Sequence, residues 1–460
     1  VISRYPYRSR LFSALRALVP PALFHALASR AFALVWAGQT LSRIGDMLYQ
    51  IAVGWWVFER TGSAAAMATL LIASFAPNLL LLLLGGVVVD RYSREAIMFA
   101  SDVLRGLVVC VVALLAASGL LQLWHLMLLN LVFGLVDAFF QPAYSAAVPE
   151  LVREEDLPSA NALSSMSTQV GRVTGPLLGA TVVAAGGPAL AFTLNGFTFL
   201  VAAALLVPLL RQTPSAGGAT TSLLKRWSKQ WTAELQSARS RPKRHVARWS
   251  LFRCRDYLAG VVADLREGIA TIFATPWLWV TILVFALSNV TLAGPYSVAL
   301  PFLVGAREGA DVGTLALLYA MFPLGYIIGG IWMGRRKQIH RRGPLVYGGL
   351  VVAGLALGVL GLPAPLAVLS AAALINGVAL ELCNLAWTSA LQQLTPREQL
   401  GRVSSASEFG SYALIPIGYW VAGWATEMIG APLVFLLGGG VTAAVAALVL
   451  ATHHGVQCLE

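Results

Sequence analysis

The chain is 460 residues long, 58% hydrophobic and only 12% charged, with a mean hydropathy of +0.74. Soluble domains carry about 25% charged residues, so an ordinary water-covered globule is excluded, as are disordered and fibrous chains. Lys and Arg number 32 against 21 Asp and Glu, a formal charge of +11 that would suggest nucleic acid in a soluble protein but fits membrane topology here.

Residues 1–31 carry Arg4, Arg8, Arg10, Arg16 and Arg30 around the break at Pro20-Pro21. Their apolar stretch is too short to cross a bilayer and no clear cleavage site follows, so a cytoplasmic amphipathic segment is expected. A spanning helix needs about 20 mainly apolar residues. Six such runs follow, at about 32–58, 64–89, 96–118, 121–147, 160–185 and 189–210. The segment 211–273 changes character. It places Trp227, Trp231 and Leu235 on one helical face among Lys225, Arg226 and Lys229, with Trp249 and Phe252 among Arg248, Arg253 and Arg255. Aromatic faces flanked by basic residues lie on anionic lipid, so interfacial helices on the inner leaflet are expected. Six further runs lie at about 274–304, 313–334, 344–362, 364–393, 402–427 and 431–452, before a cytoplasmic tail at 453–460. Continuous apolar runs exclude a transmembrane β-barrel. The expected fold is an all-α polytopic membrane protein with twelve transmembrane helices in two bundles, 32–210 and 274–452. With the N-terminus inside, the inner short segments hold fifteen Lys and Arg and the outer loops only Arg60 and Arg307, so both termini are expected in the cytoplasm. The cysteines, Cys110, Cys254, Cys383 and Cys458, are scattered without metal-ligand spacing and read as apolar fillers.

The two halves repeat in parallel. ERTGSAAAMATLL at 59–71 lies over AREGADVGTLALL at 306–318, GVVVDR at 86–91 over GIWMGR at 330–335, and SSMSTQVGRVTGP at 164–176 over SSASEFGSYALIP at 404–416. At the motif level, GGVVVDRYSRE at 85–95 resembles the signature between helices 2 and 3 of major facilitator transporters. Gly86, Asp90, Arg91 and Arg94 match it, while Ser93 and Glu95 depart from it. GRVTGPLLG at 171–179 resembles the helix-5 signature of antiporting exporters, through Gly171, Gly175, Pro176 and Gly179. QTLSRIGD at 39–46, the run 139–163 and LQQLTPREQLGRVSS at 391–405 are similar to the drug and siderophore exporter branch. The resemblance covers about 32–450 and implies two pseudo-symmetric six-helix bundles. It also implies that Asp90 meets the N-terminus of helix 11 near Gly401-Arg402-Val403, where orphan N–H groups favour an anion, and so latches the halves in one state. Glycines four apart permit close helix packing, and Pro176 bends the span.

Charges at membrane depth need a use or a partner. Helix 1 carries Gln39, Ser42, Asp46 and Tyr49 on one face; helix 4 carries Asn130, Gly134, Asp137, Gln141 and Tyr144; helix 10 carries Gly377, Glu381, Asn384 and Thr388. Arg172 on helix 5 is the expected cationic partner of Asp137, and the pair is either structural or part of a proton path. Asp102 and Arg105 read as structural charges at a cytoplasmic helix end. The expected proton-coupling set is therefore Asp46, Asp137, Arg172 and Glu381. The expected substrate cavity is Gln39, Tyr49, Phe139, Gln141 and Tyr144 with Asn384 and Trp387, suiting a bulky amphiphilic ligand.

The function expected is proton-coupled export of amphiphilic small molecules by a monomer, energised by the proton gradient with no bound cofactor and no metal. A lipid flippase of the same fold is the alternative within transport, and an intramembrane transferase the alternative outside it. All 6 histidines lie at ends or in loops, which disfavours the transferase, and no phosphate-binding G-x-x-x-x-G-K-[ST] is present. Nucleic acid is not an expected partner; anionic inner-leaflet lipid is.

Overall fold

The computed structural model describes residues 21–89, 93–212, 271–335, 341–395 and 400–453, and among them there is no strand. After a short 3-10 turn at Pro21–Ala28, the first helices are α1 Arg30–Thr61, α2 Ala64–Val89, α3 Arg94–Ala117 and α4 Leu123–Leu151. One run, Leu157–Gln212, breaks at Gly186 and Gly187 into α5 (157–185) and α6 (188–212). Then come α7 Pro276–Gly305, α8 Val312–Gly334, α9 Arg342–Leu360 and α10 Leu366–Leu394. The last two are α11 (400–429), interrupted at Ala413 and Leu414, and α12 Ala431–Thr452.

The twelve segments expected from composition are all present, each within a few residues of its expected bounds. Helix is the form a single segment can take in hydrocarbon, because it satisfies its own backbone donors and acceptors. Among the described residues, nine runs are long and apolar enough to span by composition alone. That number counts α5 and α6 as one run. It omits α1, diluted by Arg43 and Asp46, and α11, broken mid-span.

By packing, the described residues form two compact units. One comprises those of Val1–Trp56 and Ala73–Leu209, the other those of Val57–Ile72 and Leu210–Glu460. The α1–α2 turn therefore groups with the second unit, although 32–210 was expected to stay together.

The repeat is visible in three dimensions. Gly62 after α1 and Gly309 after α7, aligned in the sequence repeat, both take positive φ, 60° and 70°, which only glycine adopts without strain. In the first unit Gly134 of α4 rests on the Ser74 carbonyl of α2; in the second, Gly377 of α10 rests on the Phe322 carbonyl of α8. Neither site has room for a Cβ. Small residues that bring backbones together are how helices associate where lipid is as apolar as leucine. α7 departs from regular geometry, with π-helical turns at Asn289–Ala293 and Pro295–Ala299. Pro295 cannot donate a backbone hydrogen bond, and the widened turns accommodate that loss.

Candidate functional site: a charged network in the first unit

The first unit holds charges at membrane depth. Asp102 and Arg105 lie on α3, eight and eleven residues past Arg94, so about 12 and 16 Å into the span. Both are buried, at 0% and 4% side-chain exposure. They are not cytoplasmic-end charges, which corrects the expectation from sequence.

Arg105 is shared between two carboxylates. Nη2 donates to Asp102 Oδ1 at 2.5 Å and Nη1 to Asp137 Oδ1 at 2.9 Å. The second oxygens are met as well: Gln39 Nε2 of α1 donates to Asp102 Oδ2 at 3.4 Å, and Asn78 Nδ2 of α2 donates to Asp137 Oδ2 at 2.9 Å. The guanidinium carbon lies 4.1 Å from the ring centre of Phe140 and 4.7 Å from that of Phe199 on α6. Arg105 Nε is buried without a hydrogen-bond partner. Phenyl faces supply attraction where water is excluded. The network thus joins α1, α2, α3, α4 and α6 through one cation.

Arg172 is not that cation. Gly171, Gly175 and Gly179 of α5 face α1, where Gly175 lies against Met47 and Gly179 against Leu48 and Ile51. Arg172, one residue along and so rotated by about 100° from Gly171, is exposed. Asp46 is half-buried, within electrostatic reach of Arg105, Asp137, Arg43 and Asp102. Arg43, one turn before it, lies 6.0 Å from the ring of Tyr144. Three carboxylates and two guanidiniums thus lie within electrostatic reach in this unit, with Asp102 and Asp137 paired directly to Arg105.

The other expected cavity residues divide. Tyr49 accepts a hydrogen bond from Asn130 Nδ2 at 2.8 Å, tying α1 to α4. Asp137 keeps a third of its side chain exposed, and Gln141, four residues on along the same helix, is exposed. Phe139 is half-buried; its neighbour Phe140 is the ring on Arg105. Tyr144 is a core residue, stacked on Phe140 and bonded through its hydroxyl to Ser164 at 2.7 Å. Trp387 is also core in the second unit, edge-on to Trp277 and Phe285. Glu381 lies over Gly329 and Gly330 of α8, bonded to exposed Asn384. Its surroundings therefore differ from those of Asp137: among the described residues, its side-chain partner is Asn384 rather than a guanidinium.

Of the expected latch, Gly86 lies within α2, and Asp90 and Arg91 lie outside the described residues. Arg94 donates to the Ala146 carbonyl at 2.8 Å and pairs with Glu150, tying α3 to α4. The interfacial helices expected within 211–273 also lie outside the described residues, which resume at 271, as does the N-terminal amphipathic segment up to residue 20.

Sequence reasoning read Asp102 and Arg105 as structural charges without joining them to Asp137, and it missed Asn78 and Phe199. A signal existed for the first two: opposite charges at i and i+3 whose depth, counted from Arg94, reaches mid-span.

A membrane protein whose described residues form helices in two parallel six-helix repeats, with charged side chains networked inside them, is by class a membrane transporter. Comparison with known proteins carries this to the family. The family model described as "Transmembrane secretion effector" matches residues 22–253, and that of the Major Facilitator Superfamily matches 278–455. The chain belongs to the major facilitator superfamily and is a multi-pass membrane transporter rather than an enzyme. It is similar to macrolide efflux protein A of Streptococcus pyogenes, 23% identical over 415 residues, covering 89% of this chain and 92% of the relative. It is also similar to the enterobactin exporter of Citrobacter koseri, 28% identical over 372 residues, covering 78% and 74%. A solved POT family transporter in complex with 5-aminolevulinic acid has a TM-score of 0.67 at 13% identity, covering 93% of this chain and 97% of that one. At that identity the likeness concerns the fold.

Proposed function

We propose that this protein is a proton-coupled exporter of amphiphilic small molecules, working by alternating access in the cytoplasmic membrane with both termini inside. The observation carrying the proposal is the network around Arg105. Asp46, Asp102 and Asp137, fully ionised against Arg43 and Arg105, leave one surplus negative charge at membrane depth. A proton or a cationic substrate group can neutralise it, but both together would reverse the imbalance. Competition of that kind is the physical basis of antiport: substrate leaves when a proton takes its place. Asp137, with a third of its side chain exposed, is the member proposed to exchange protons, with Asp46 beside it; Arg105 takes the role expected of Arg172. Export as the direction, and small amphiphiles as substrates, are supported by the efflux relatives. No cofactor is needed when the proton gradient does the work. The basic segment 211–273 is proposed to rest on anionic inner-leaflet lipid, and the working unit is proposed to be a monomer.

The test is uptake of a radiolabelled macrolide into inverted proteoliposomes with an imposed pH gradient. Gradient-dependent uptake, abolished by a protonophore and accompanied by proton release from the lumen, is the expected result. Uptake indifferent to the gradient would remove proton coupling.

A further inference from the structure

Glu427 stands three residues before Gly430, in the last turn of α11. The dipole of its own helix is negative there, so a carboxylate is disfavoured. Its compensation comes from 364 residues away in sequence. Ser63 Oγ donates to Glu427 Oε1, and the Ala65 amide donates to the same oxygen at 3.1 Å. These residues open α2, whose first turn contains no acidic residue. The Ala66 amide donates to Ser63 Oγ at 3.1 Å, so hydroxyl and carboxylate together satisfy two of the helix's orphan donors. α8, the repeat counterpart of α2, is arranged differently. It is capped by its own Asp311, which accepts from the Thr314 amide at 2.9 Å. α8 carries its own anion at the cap; α2 has the Ser63 hydroxyl of its own and borrows its anion from α11.

The seat around this contact is close-fitting. Gly423, one turn before Glu427, leaves no room for a Cβ beside Ala64, Ala65 and Ala68. Gly305 of α7 lies against Phe58, whose ring meets Phe302 edge-on at 5.7 Å. The turn is thus held against α7 and α11 by small residues and one exposed carboxylate. Exposed charge contacts are weak, and a weak contact between a positive and a negative helix end can bias a two-state equilibrium without locking it.

We infer that Glu427 is a releasable latch: it holds the N-terminus of α2 on α11, and the contact parts each time this end of the transporter opens. That opening rests on the alternating-access reading; the contact itself does not. Two measurements on the full-length protein test it. Hydrogen exchange in nanodiscs should rise about tenfold at residues 63–68 in Glu427→Ala and less in Glu427→Gln, which keeps an acceptor. The α3 and α4 core should exchange as in the wild type. Exchange at 63–68 unchanged in Glu427→Ala overturns the latch. Gly423→Ala, which pushes α2 off its seat without touching the carboxylate, should give the same local signature. In a background lacking the 4 native cysteines, Ser63→Cys and Glu427→Cys bridged by a short, reducible bifunctional thiosulfonate should stop efflux of erythromycin, and reduction should restore it. Efflux that continues through the bridge overturns the releasable contact. If the wild type does not move erythromycin at all, the export reading fails for macrolides, and the exchange measurement alone decides the latch.

Discussion

Arg105 lies between two carboxylates and the faces of two phenyl rings, at a depth where neither it nor Asp102 can be hydrated cheaply. Replacing it with Leu would strand Asp102 with only the long Gln39 contact, and breaking a buried pair in this way costs about 3–5 kcal/mol. The loss should appear as a lower melting temperature in detergent for Arg105→Leu. Adding Asp102→Asn should restore part of it, because the stranded charge is gone, and a double-mutant cycle measures the coupling. Asp311 offers the opposite case, an exposed carboxylate outside the spans. The Thr314 amide, then its hydroxyl, hold Asp311 below the usual carboxylate range. A lowered pKa means that this cap contributes fully above the unfolded-state value, 3.8, and is lost as pH falls through the folded one. Asp311→Ala should therefore cost about 0.5–2 kcal/mol at neutral pH, as N-cap losses do, and less once the carboxyl is protonated and only its carbonyl oxygen can accept. Melting curves at descending pH follow this directly; a cost undiminished in acid would mean that the charge adds nothing to the α8 cap.

At the scale of whole elements, several spans meet through glycines as well as through the large core side chains. Gly175 of α5 meets Met47 of α1 so closely that a Cβ forces one helix to move, whereas Gly348 of α9 has open space around it. Gly175→Val should destabilise the first unit by about 1–3 kcal/mol, the usual effect of overpacking. Gly348→Ala should stabilise by up to about 1 kcal/mol, because alanine restricts the backbone without meeting anything. Thermal melting of the two variants side by side separates contact from propensity; equal effects would mean that the α1–α5 seam can yield. The helix-5 motif is thus first of all a packing seam, and its rotation explains why Arg172 misses the network. With Gly171, Gly175 and Gly179 turned toward α1, residue 172 has to point elsewhere.

On the scale of the molecule, the proposed cycle needs both carboxylates that sequence periodicity placed on inward polar faces. Asp137→Asn keeps the acceptor for Arg105 and removes the exchangeable charge. It should abolish macrolide uptake driven by a pH gradient while leaving substrate exchange at equal pH. Asp46→Asn should act in the same direction. Proteoliposome flux with and without a gradient reads both, and variants that transport at the wild-type rate would return attention to Glu381. The Glu427 contact belongs to this scale too, since it sets how readily the α1–α2 end parts from α7 and α11.

The membrane class, the twelve helical segments, the parallel repeat and the family were all legible in the chain itself. Each depends on something one-dimensional: apolar runs long enough for hydrocarbon, charge counted loop by loop, and glycines recurring at a fixed offset. That Asp46 and Asp137 stand on polar helix faces was legible for the same reason, because helical periodicity puts a polar stripe on one face without reference to neighbours. Pairings were not. Arg105 and Arg172 are both arginines within spans, and only the rotation of α3 and α5 about their axes decides which guanidinium meets Asp137. Tyr144 and Trp387 share the spacing of cavity residues, yet packing turns them into core. The contact of Glu427 with Ser63 joins residues far apart along the chain, through helix ends whose partial charges exist only once the helices do. Local pattern determines which face of a helix is polar; tertiary packing alone decides what that face meets.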